Sequence, residues 1–172
     1  MIASRRPGGT CRREAWRALA GVVLAGLLWL PLAAAAQCLV VRVGDGGTLT
    51  ARCGVPGRYQ AVKVRLAGIG VPQKAQPLGR QSRQSLSDLC HRQEARLTPR
   101  DWDRDGRTVA SVQCRRVDAA KHQVRTGMAW VDDRSARGSE GLYILQDEAR
   151  RQQLGLWAEP LKPSARMRAA SR

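Results

Sequence analysis

Residues 41–50 read Val-Arg-Val-Gly-Asp-Gly-Gly-Thr-Leu-Thr, which places two short apolar or β-branched runs on either side of a glycine-rich turn. This pattern predicts a β-hairpin with strands at 39–43 and 48–53. A second turn around Pro56 leads to 59–66, where apolar and basic residues alternate as in a half-buried strand. The fold is therefore expected to begin with three consecutive strands.

The chain beyond this hairpin alternates between helical and extended patterns. Apolar spacing predicts helices at 78–93, 118–126 and 139–154, and strands at 96–98 and 107–114. Three strands, a helix, two strands and two helices are the order that a small Greek-key barrel with flanking helices gives. We therefore predict an α+β fold, and we expect Trp157 to fold back onto the core.

The two ends of the chain differ from the part between them. Residues 1–36 join several arginines to an apolar run that ends in alanines, which is typical of a cleaved signal peptide. An uncleaved membrane anchor is the alternative, because the run approaches the length that spans a bilayer. Residues 159–172 are basic and lack periodicity, as in a disordered tail. We expect one exported domain at 37–158, periplasmic or secreted, without a stable membrane partner after cleavage.

The chain is strongly basic, with 30 Lys and Arg against 14 Asp and Glu and a formal net charge of +16. The first 36 residues hold five arginines and one glutamate, so their removal lowers the charge to +12 on the remaining 136 residues. Such a charge attracts nucleic acid, anionic lipid headgroups or acidic glycans. A merely solubilising surface is the alternative. We expect nucleic acid or another polyanion as the partner of a monomer.

Four of the five cysteines follow residue 36, and an even number in an exported domain predicts disulfides. If Asp45 and Gly46 form a two-residue hairpin tip, residues that face each other across the strands have numbers that sum to 91. Cys38 and Cys53 meet this condition. We therefore expect a disulfide between them.

That pairing leaves Cys90 and Cys114 to form a second disulfide, which would close a larger loop of the unfolded chain. A zinc site made of Cys90, His91, Cys114 and His122 is the alternative. Its spacing matches no usual zinc pattern, because the first cysteine and histidine are adjacent in sequence. We therefore favour the disulfide, and we expect His122 to lie at the surface or at the edge of the core.

Three segments carry a family signature when they are taken in order. They are 41–50, Lys63-Val-Arg-Leu-Ala-Gly-Ile-Gly-Val-Pro-Gln-Lys74 and Asp103-Arg-Asp-Gly-Arg-Thr-Val-Ala110. Together they resemble the staphylococcal nuclease (thermonuclease) family, and the resemblance extends over 39–157. It implies a five-stranded oligonucleotide-binding (OB) barrel with three flanking helices. It also implies descent from enzymes that hydrolyse phosphodiesters. In the active site of that family, two aspartates bind calcium, a glutamate is the general base and two arginines hold the phosphate.

The resemblance assigns the phosphate-holding role to Arg65 and Arg107, both of which match the family's arginines. Lys74 and Arg104 lie in the same motifs as these arginines and are expected to add phosphate contacts. Guanidinium groups make bidentate contacts to phosphate oxygens. The sequence therefore predicts an anion-binding pocket.

The acid positions of the family are changed in this chain. Gly47 and Gly70 stand where the resemblance implies calcium-binding aspartates, and Gln73 stands at the general base. Glycine offers a metal only its backbone carbonyl, and glutamine accepts no proton at ordinary pH. A common aromatic pair is replaced by Asp132 and Asp133, so we expect little base stacking. We expect no calcium cofactor and strongly impaired or lost hydrolysis.

Three functions remain compatible with the sequence. The favoured one is binding of nucleic acid or another polyanion without cleavage. The second is a weakened nuclease in which Asp45, Asp103 or Asp105 substitutes for the missing acids. The third is a structural or interaction domain in which Arg65 and Arg107 pair with those same aspartates and bind no ligand.

Overall fold

A sheet that closes on itself organises the chain in the computed structural model, which describes residues 37–136 and 140–158. The elements in chain order are β1 (Gln37–Val43), β2 (Thr48–Val55), β3 (Arg58–Leu66), β4 (Ile69–Gly70), α1 (Gly79–Cys90), β5 (Glu94–Trp102), β6 (Thr108–Cys114), β7 (Val117–Asp118), α2 (Ala119–Arg125), β8 (Trp130–Val131), α3 (Glu140–Arg151) and a final 3₁₀ turn (Gly155–Trp157). The main sheet has the order β3-β2-β1-β5-β6-β7, and β3 also pairs with β6 in parallel. The predicted five-stranded barrel with three helices is confirmed.

The barrel interior is filled by alternate residues of its strands, because successive side chains of a strand point to opposite faces. Val40, Ala51, Val64, Ala110 and Val112 are all fully buried. The helices pack further apolar residues onto the same core, which accounts for the amphipathic patterns of their sequences. The alternation that predicted the strands therefore also marks which face of each strand is outside.

The first hairpin differs from its prediction in one detail. Next to the turn, the facing residues have numbers that sum to 92, and the Gly44 N–H donates to the Thr48 carbonyl at 2.9 Å. The predicted two-residue tip is therefore wrong. A β-bulge at Val41 shifts the register by one residue, so that Cys38 again faces Cys53. The bulge restores the predicted pairing.

Two disulfides join Cys38 to Cys53 and Cys90 to Cys114, as expected. Ala95 on β5 pairs with Cys38 on one side and with Cys114 on the other. Both disulfides therefore lie at the same end of the barrel, away from the β1–β2 turn. Since both sulfur atoms of the rejected zinc set are bonded in a disulfide, that alternative is excluded.

The remaining differences concern short or extended elements. The sequence did not predict β4 and β8, which pair as a two-residue ribbon, nor the short strand β7. Strand β5 runs further than its predicted range because it pairs with β1 and β6 at once. Trp157 folds back as expected and packs with Trp130, Leu156 and Leu78 in a small second apolar cluster.

The predicted signal segment at 1–36 and the predicted tail at 159–172 lie outside the described residues. Within the described ranges, no helix is long and apolar enough to cross a membrane.

Candidate functional site

Two of the positions named from the sequence, Gly47 and Gly70, lie where the β1–β2 turn meets the segment after β3. The Leu66 N–H donates to the Gly47 carbonyl at 2.8 Å, which ties the turn to the end of β3. A Cβ atom at Gly47 would lie 3.2 and 3.3 Å from the two methyl carbons of Val71, the residue after Gly70. The structure therefore brings the two glycines of the former acid positions into neighbouring segments.

A buried glutamine that no pattern of the sequence reveals supports this turn on its inner side. Gln123 on α2 is fully buried, and its Nε2 donates to the Gly46 carbonyl at 2.8 Å and to the Ser82 carbonyl at 2.9 Å. The Ser85 hydroxyl donates to Gln123 Oε1 at 2.7 Å. A buried amide stabilises a structure only when such partners are present. Gln123 therefore joins the turn to α1 and α2.

Asp45, the first candidate for a substitute acid, is engaged by the turn itself. Its Oδ1 accepts the Gly47 N–H at 2.8 Å, which is the Asx-type bond that aspartate makes in tight turns. This carboxylate therefore stabilises the local backbone.

Arg107 is held by the other two candidate acids. Its Nε lies 2.6 Å from Asp103 Oδ2, and its terminal nitrogen lies 2.6 Å from an oxygen of Asp105. The two carboxylates differ in exposure, because the side chain of Asp103 is 17% exposed and that of Asp105 is 69% exposed. The structure therefore adopts the pairing that the third function anticipated for this arginine.

Asp103 organises the whole turn before β6. Its Oδ1 accepts the backbone N–H groups of Asp105 and Arg107, each at 3.0 Å. Burial raises the pKa of the Asp103 carboxyl, but hydrogen bonds from Arg107 and from the Asp105 N–H outweigh it and hold that pKa below its ordinary value. Asp103 is therefore charged over a wider pH range than a free aspartate.

Arg65 has a looser partner, which the sequence analysis named only as a lost aromatic. Its guanidinium nitrogen lies 4.0 Å from Asp132 Oδ2, with both side chains about one-third exposed (35% and 29%). Asp132 is placed there by β8, because its N–H donates to the Gly68 carbonyl at 3.0 Å and the Val131 N–H donates to Gln146 Oε1 at 2.8 Å. The carboxylate beside Arg65 is therefore that of Asp132, and not one of the three predicted alternatives, Asp45, Asp103 and Asp105.

The space beside Gly70 is filled. A Cβ atom at this position would lie 2.5 Å from Trp130 Nε1 and 2.7 Å from its Cζ2, which is closer than real side chains pack. Trp130 is buried and faces Gly70 across the β4–β8 ribbon. The indole therefore occupies the volume where a side chain at position 70 would begin.

The remaining predicted site residues are exposed. Gln73 lies in the loop after β4, where its backbone N–H donates to Gln76 Oε1 at 2.8 Å, and Lys74 follows it. Arg104 lies at the tip of the turn between β5 and β6. Among the described side chains, Lys74 and Arg104 form no ion pair. Their charges are therefore open to solvent.

These residues do not fit a calcium ion. Calcium takes six to eight oxygen ligands, several of them from carboxylates. Gly47 and Gly70 supply no side chain, while Asp45, Asp103 and Asp105 are held by the turns and by Arg107. In the described ranges, no three His, Cys, Asp or Glu side chains are placed to hold a metal together. The arrangement offers cationic groups for an anion and no cage for a cation.

Comparisons with known proteins agree with this architecture. A family model described as "Staphylococcal nuclease homologue" matches residues 63–159, more than half of the chain. An "Uncharacterized endonuclease" from Haemophilus influenzae is 37% identical over 130 residues, covering 74% of this chain and 70% of the relative. A "Micrococcal nuclease" from Shigella flexneri is 37% identical over 131 residues, covering 70% of this chain and 73% of the relative. The "Protein ParB" of Escherichia coli is 35% identical over 155 residues, covering 83% and 82%.

The barrel with its three helices, the order of the three motifs and these similarities lead to one conclusion. The chain belongs to the staphylococcal nuclease family.

Proposed function

We propose that this protein is an exported nuclease-fold domain that binds nucleic acid or another polyanion, with calcium-dependent phosphodiester hydrolysis lost or strongly impaired. One observation carries the proposal. The phosphate-holding arginines remain as Arg65 and Arg107, whereas the three acid positions carry Gly47, Gly70 and Gln73. Family membership supports nucleic acid as the general kind of partner.

The chemistry of hydrolysis explains why these changes matter. An attacking water must lose a proton, and the charge that develops on the phosphate must be neutralised. The Gln73 amide hydrogen-bonds a water but takes no proton, and a general base alone contributes about 10²–10⁴-fold in rate. At position 70 the Trp130 indole stands against the backbone. The rate is therefore expected to fall by several orders of magnitude.

Anion binding survives these changes for a different reason. The ion pair between Arg107 and Asp105 is formed by a carboxylate that is 69% exposed, and exposed pairs contribute only about 0–1 kcal/mol. A phosphodiester has the same charge and a similar fork of oxygens. It is therefore able to replace Asp105 on Arg107, while Asp103 keeps the guanidinium in place.

Export is part of the same proposal. Two disulfides are compatible with an oxidising compartment outside the cytoplasm. The arginines and the apolar run of residues 1–36 support a signal peptide, and hence a periplasmic or secreted protein.

The test measures binding and cleavage on the same preparation. We expect the purified protein to bind a labelled oligonucleotide with an affinity that falls steeply with salt, because counterions are released. The double variant Arg65→Ala/Arg107→Ala should bind more weakly. Plasmid nicking in calcium should be no greater for the wild type than for Arg107→Ala. Salt-insensitive or absent binding by the wild type would refute the proposal.

A weakened nuclease is the second candidate, and the similarity to relatives named endonuclease and micrococcal nuclease favours it. It predicts nicking that calcium stimulates, that a chelator abolishes and that Arg107→Ala removes. The triple variant Gly47→Asp/Gly70→Asp/Gln73→Glu adds a restoration test. It should gain calcium-stimulated hydrolysis if the loops still have the family geometry and if the Trp130 ring moves aside.

A purely structural domain is the third candidate, and the ion pairs of Arg65 and Arg107 favour it. It predicts that Arg65→Ala/Arg107→Ala lowers the melting temperature and leaves the affinity for the oligonucleotide unchanged.

A further inference from the structure

Arg65 and Arg107, together with the aspartates that pair with them, form what we call the arginine pocket. The register of the first three strands places several other cations on one surface outside it. Across β2 and β3, Thr50 faces Lys63 and Arg52 faces Ala61. Because facing residues share one side of a sheet, Arg52 and Lys63 lie on the same face. The opposite face includes the buried Leu49 in the barrel core. Arg52 and Lys63 are therefore on the outside of the barrel.

Strand β1 and the far half of β3 extend this surface. Arg42 faces Thr50 and is exposed, so it joins the same side. Tyr59 is two and four residues before Ala61 and Lys63, and its side chain is 53% exposed. We call Arg42, Arg52, Tyr59 and Lys63 the outer face.

The outer face differs from the pocket in having no counter-charge of its own. Between residues 37 and 66 the sole acid is Asp45, and its carboxylate is bonded to the turn. In the described part of the chain, Arg42, Arg52 and Lys63 form no salt bridge. One acid borders this surface. Glu94 on β5 faces Leu39 on β1, which is a neighbour of the outer face. Within the described ranges, the cations of the outer face therefore lack the direct carboxylate partners that Arg65 and Arg107 have.

Tyr59 gives the outer face an aromatic ring. The Arg52 guanidinium carbon lies 5.4 Å from the centre of this ring, within the range of a cation–π contact. The residue opposite Tyr59 is Gly54, which has no side chain to cover it. Unpaired bases stack on exposed aromatic rings whatever their sequence, and a nearby cation holds the phosphate. The pair of Arg52 and Tyr59 therefore matches one nucleotide unit.

We propose that the outer face binds single-stranded nucleic acid, with its phosphates on Arg52 and Lys63 and an unpaired base on Tyr59. This inference rests on the proposed function and specifies its ligand and its surface. From Tyr59 to Arg65, β3 extends about 20 Å at roughly 3.3 Å per residue. A nucleic-acid strand that is bound along β3 would therefore lead from Tyr59 towards the pocket at Arg65.

The experiment measures the affinity for a labelled single-stranded oligothymidylate of about twelve nucleotides at several salt concentrations. The test variant is Arg52→Gln/Lys63→Gln. The matched control is Arg115→Gln/Arg116→Gln, which removes the same charge from the turn after β6, at the opposite end of that strand from Thr108. Melting temperatures verify that both variants are folded.

We expect Arg52→Gln/Lys63→Gln to weaken binding about tenfold and to lower the slope of log affinity against log salt by about 1.4, or about 0.7 for each phosphate contact. The control should change the affinity less than about twofold. Equal effects of the two variants would overturn the proposal. If Arg65→Ala/Arg107→Ala still weakened binding in that case, the proposed function would stand without the outer face.

Tyr59→Leu separates stacking from charge. This variant should lower the affinity for oligothymidylate about fivefold or more. Its affinity for an abasic oligonucleotide of the same length should equal that of the wild type. Equal loss for both ligands would show that Tyr59 does not contact a base. Preferential binding to vesicles that contain anionic lipid, lost in Arg52→Gln/Lys63→Gln, would identify a membrane-binding surface and overturn the proposal.

Discussion

The arginine pocket and the outer face contain the same kinds of residue and yet differ in electrostatic state. In the pocket, Arg107 lies against Asp103 and Asp105, and Arg65 is directed towards Asp132. On the outer face, Arg52 contacts the Tyr59 ring, and no carboxylate among the described residues is paired with it. Arg65 and Arg107 therefore have carboxylate partners, whereas the cations of the outer face have none within the described ranges.

This difference shows that a family motif and the available charge need not coincide. The arginines that match the family are the ones that the chain has neutralised with its own aspartates. Cations outside the family's two phosphate-holding positions are the ones that a polyanion meets first, because a charge without a carboxylate partner acts over about one Debye length. Four predictions test the contrast, beginning with the largest expected effect.

The first prediction concerns Gly70, which lies against the Trp130 ring. Gly70→Ala should lower the free energy of unfolding by about 2–3 kcal/mol, because its Cβ would press on the buried Trp130 ring. Urea unfolding measures the loss. The matched control is Gly141→Ala, where nothing lies within 4 Å of the added carbon and alanine should favour α3 by up to about 1 kcal/mol. A neutral Gly70→Ala would show that the space beside β4 is open.

The second prediction concerns the turn that holds Arg107. Asp103→Asn should destabilise the protein by about 1–2 kcal/mol at neutral pH, since it weakens the bonds to Arg107 and to the turn. Because the folded-state pKa of Asp103 is lowered, its contribution is present above the unfolded value of about 3.9 and is lost as pH falls below it. Urea unfolding of wild type and variant should therefore converge in acid. A constant difference between them down to the lowest pH would contradict the prediction.

The third prediction isolates the exposed partner of Arg107. Asp105→Asn should change the stability by less than about 0.5 kcal/mol and strengthen oligonucleotide binding about two- to fivefold, because Arg107 gains a free terminal nitrogen. As the matched control, Asp147→Asn removes a charge that is 57% exposed, against 69% for Asp105, and that is paired with Arg150 on α3. If the two variants strengthened binding equally, net charge alone would account for the effect, and the comparison between pocket and outer face would lose its basis.

The fourth prediction has the smallest expected effect and concerns His122 on α2. Burial and then the nearby Arg125 lower the pKa of His122, whose Nε2 is 3.1 Å from the Ser85 hydroxyl. The neutral ring is favoured in the fold, so its contribution is present above about 6.5 and is lost as pH falls through the lowered pKa. A proton NMR titration of the ring should give a value below about 6.5. A value at or above it would place His122 outside the buried network.

The sequence predicted the barrel because local patterns determine most of it. Short apolar runs around a glycine-rich turn defined β1 and β2, and apolar spacing defined β3, β6 and a helix at 118–126, which the structure has at Ala119–Arg125. The disulfide between Cys38 and Cys53 was predicted for an incomplete reason. A longer turn and the bulge at Val41 cancel each other in the register, and a bulge leaves no reliable local signal.

The missed features all depend on contacts between distant segments. Gln123 reaches Gly46 across 77 residues of sequence, and Trp130 meets Gly70 through a ribbon too short to show periodicity. Asp132 was noticed as an absent aromatic, and its role as the partner of Arg65 requires knowledge of where β8 lies. Periodicity and motif spacing carry no information about such encounters.

Both disulfides are gathered at the end of the barrel where Ala95 stands between Cys38 and Cys114. The covalent cross-links therefore stabilise one end of the barrel. The loops at the opposite end contribute correspondingly less to the stability of the fold. Substitutions that would unfold a less restrained barrel can accumulate there. The end of the barrel that carries the candidate site is thus free to diverge during evolution while the fold is kept.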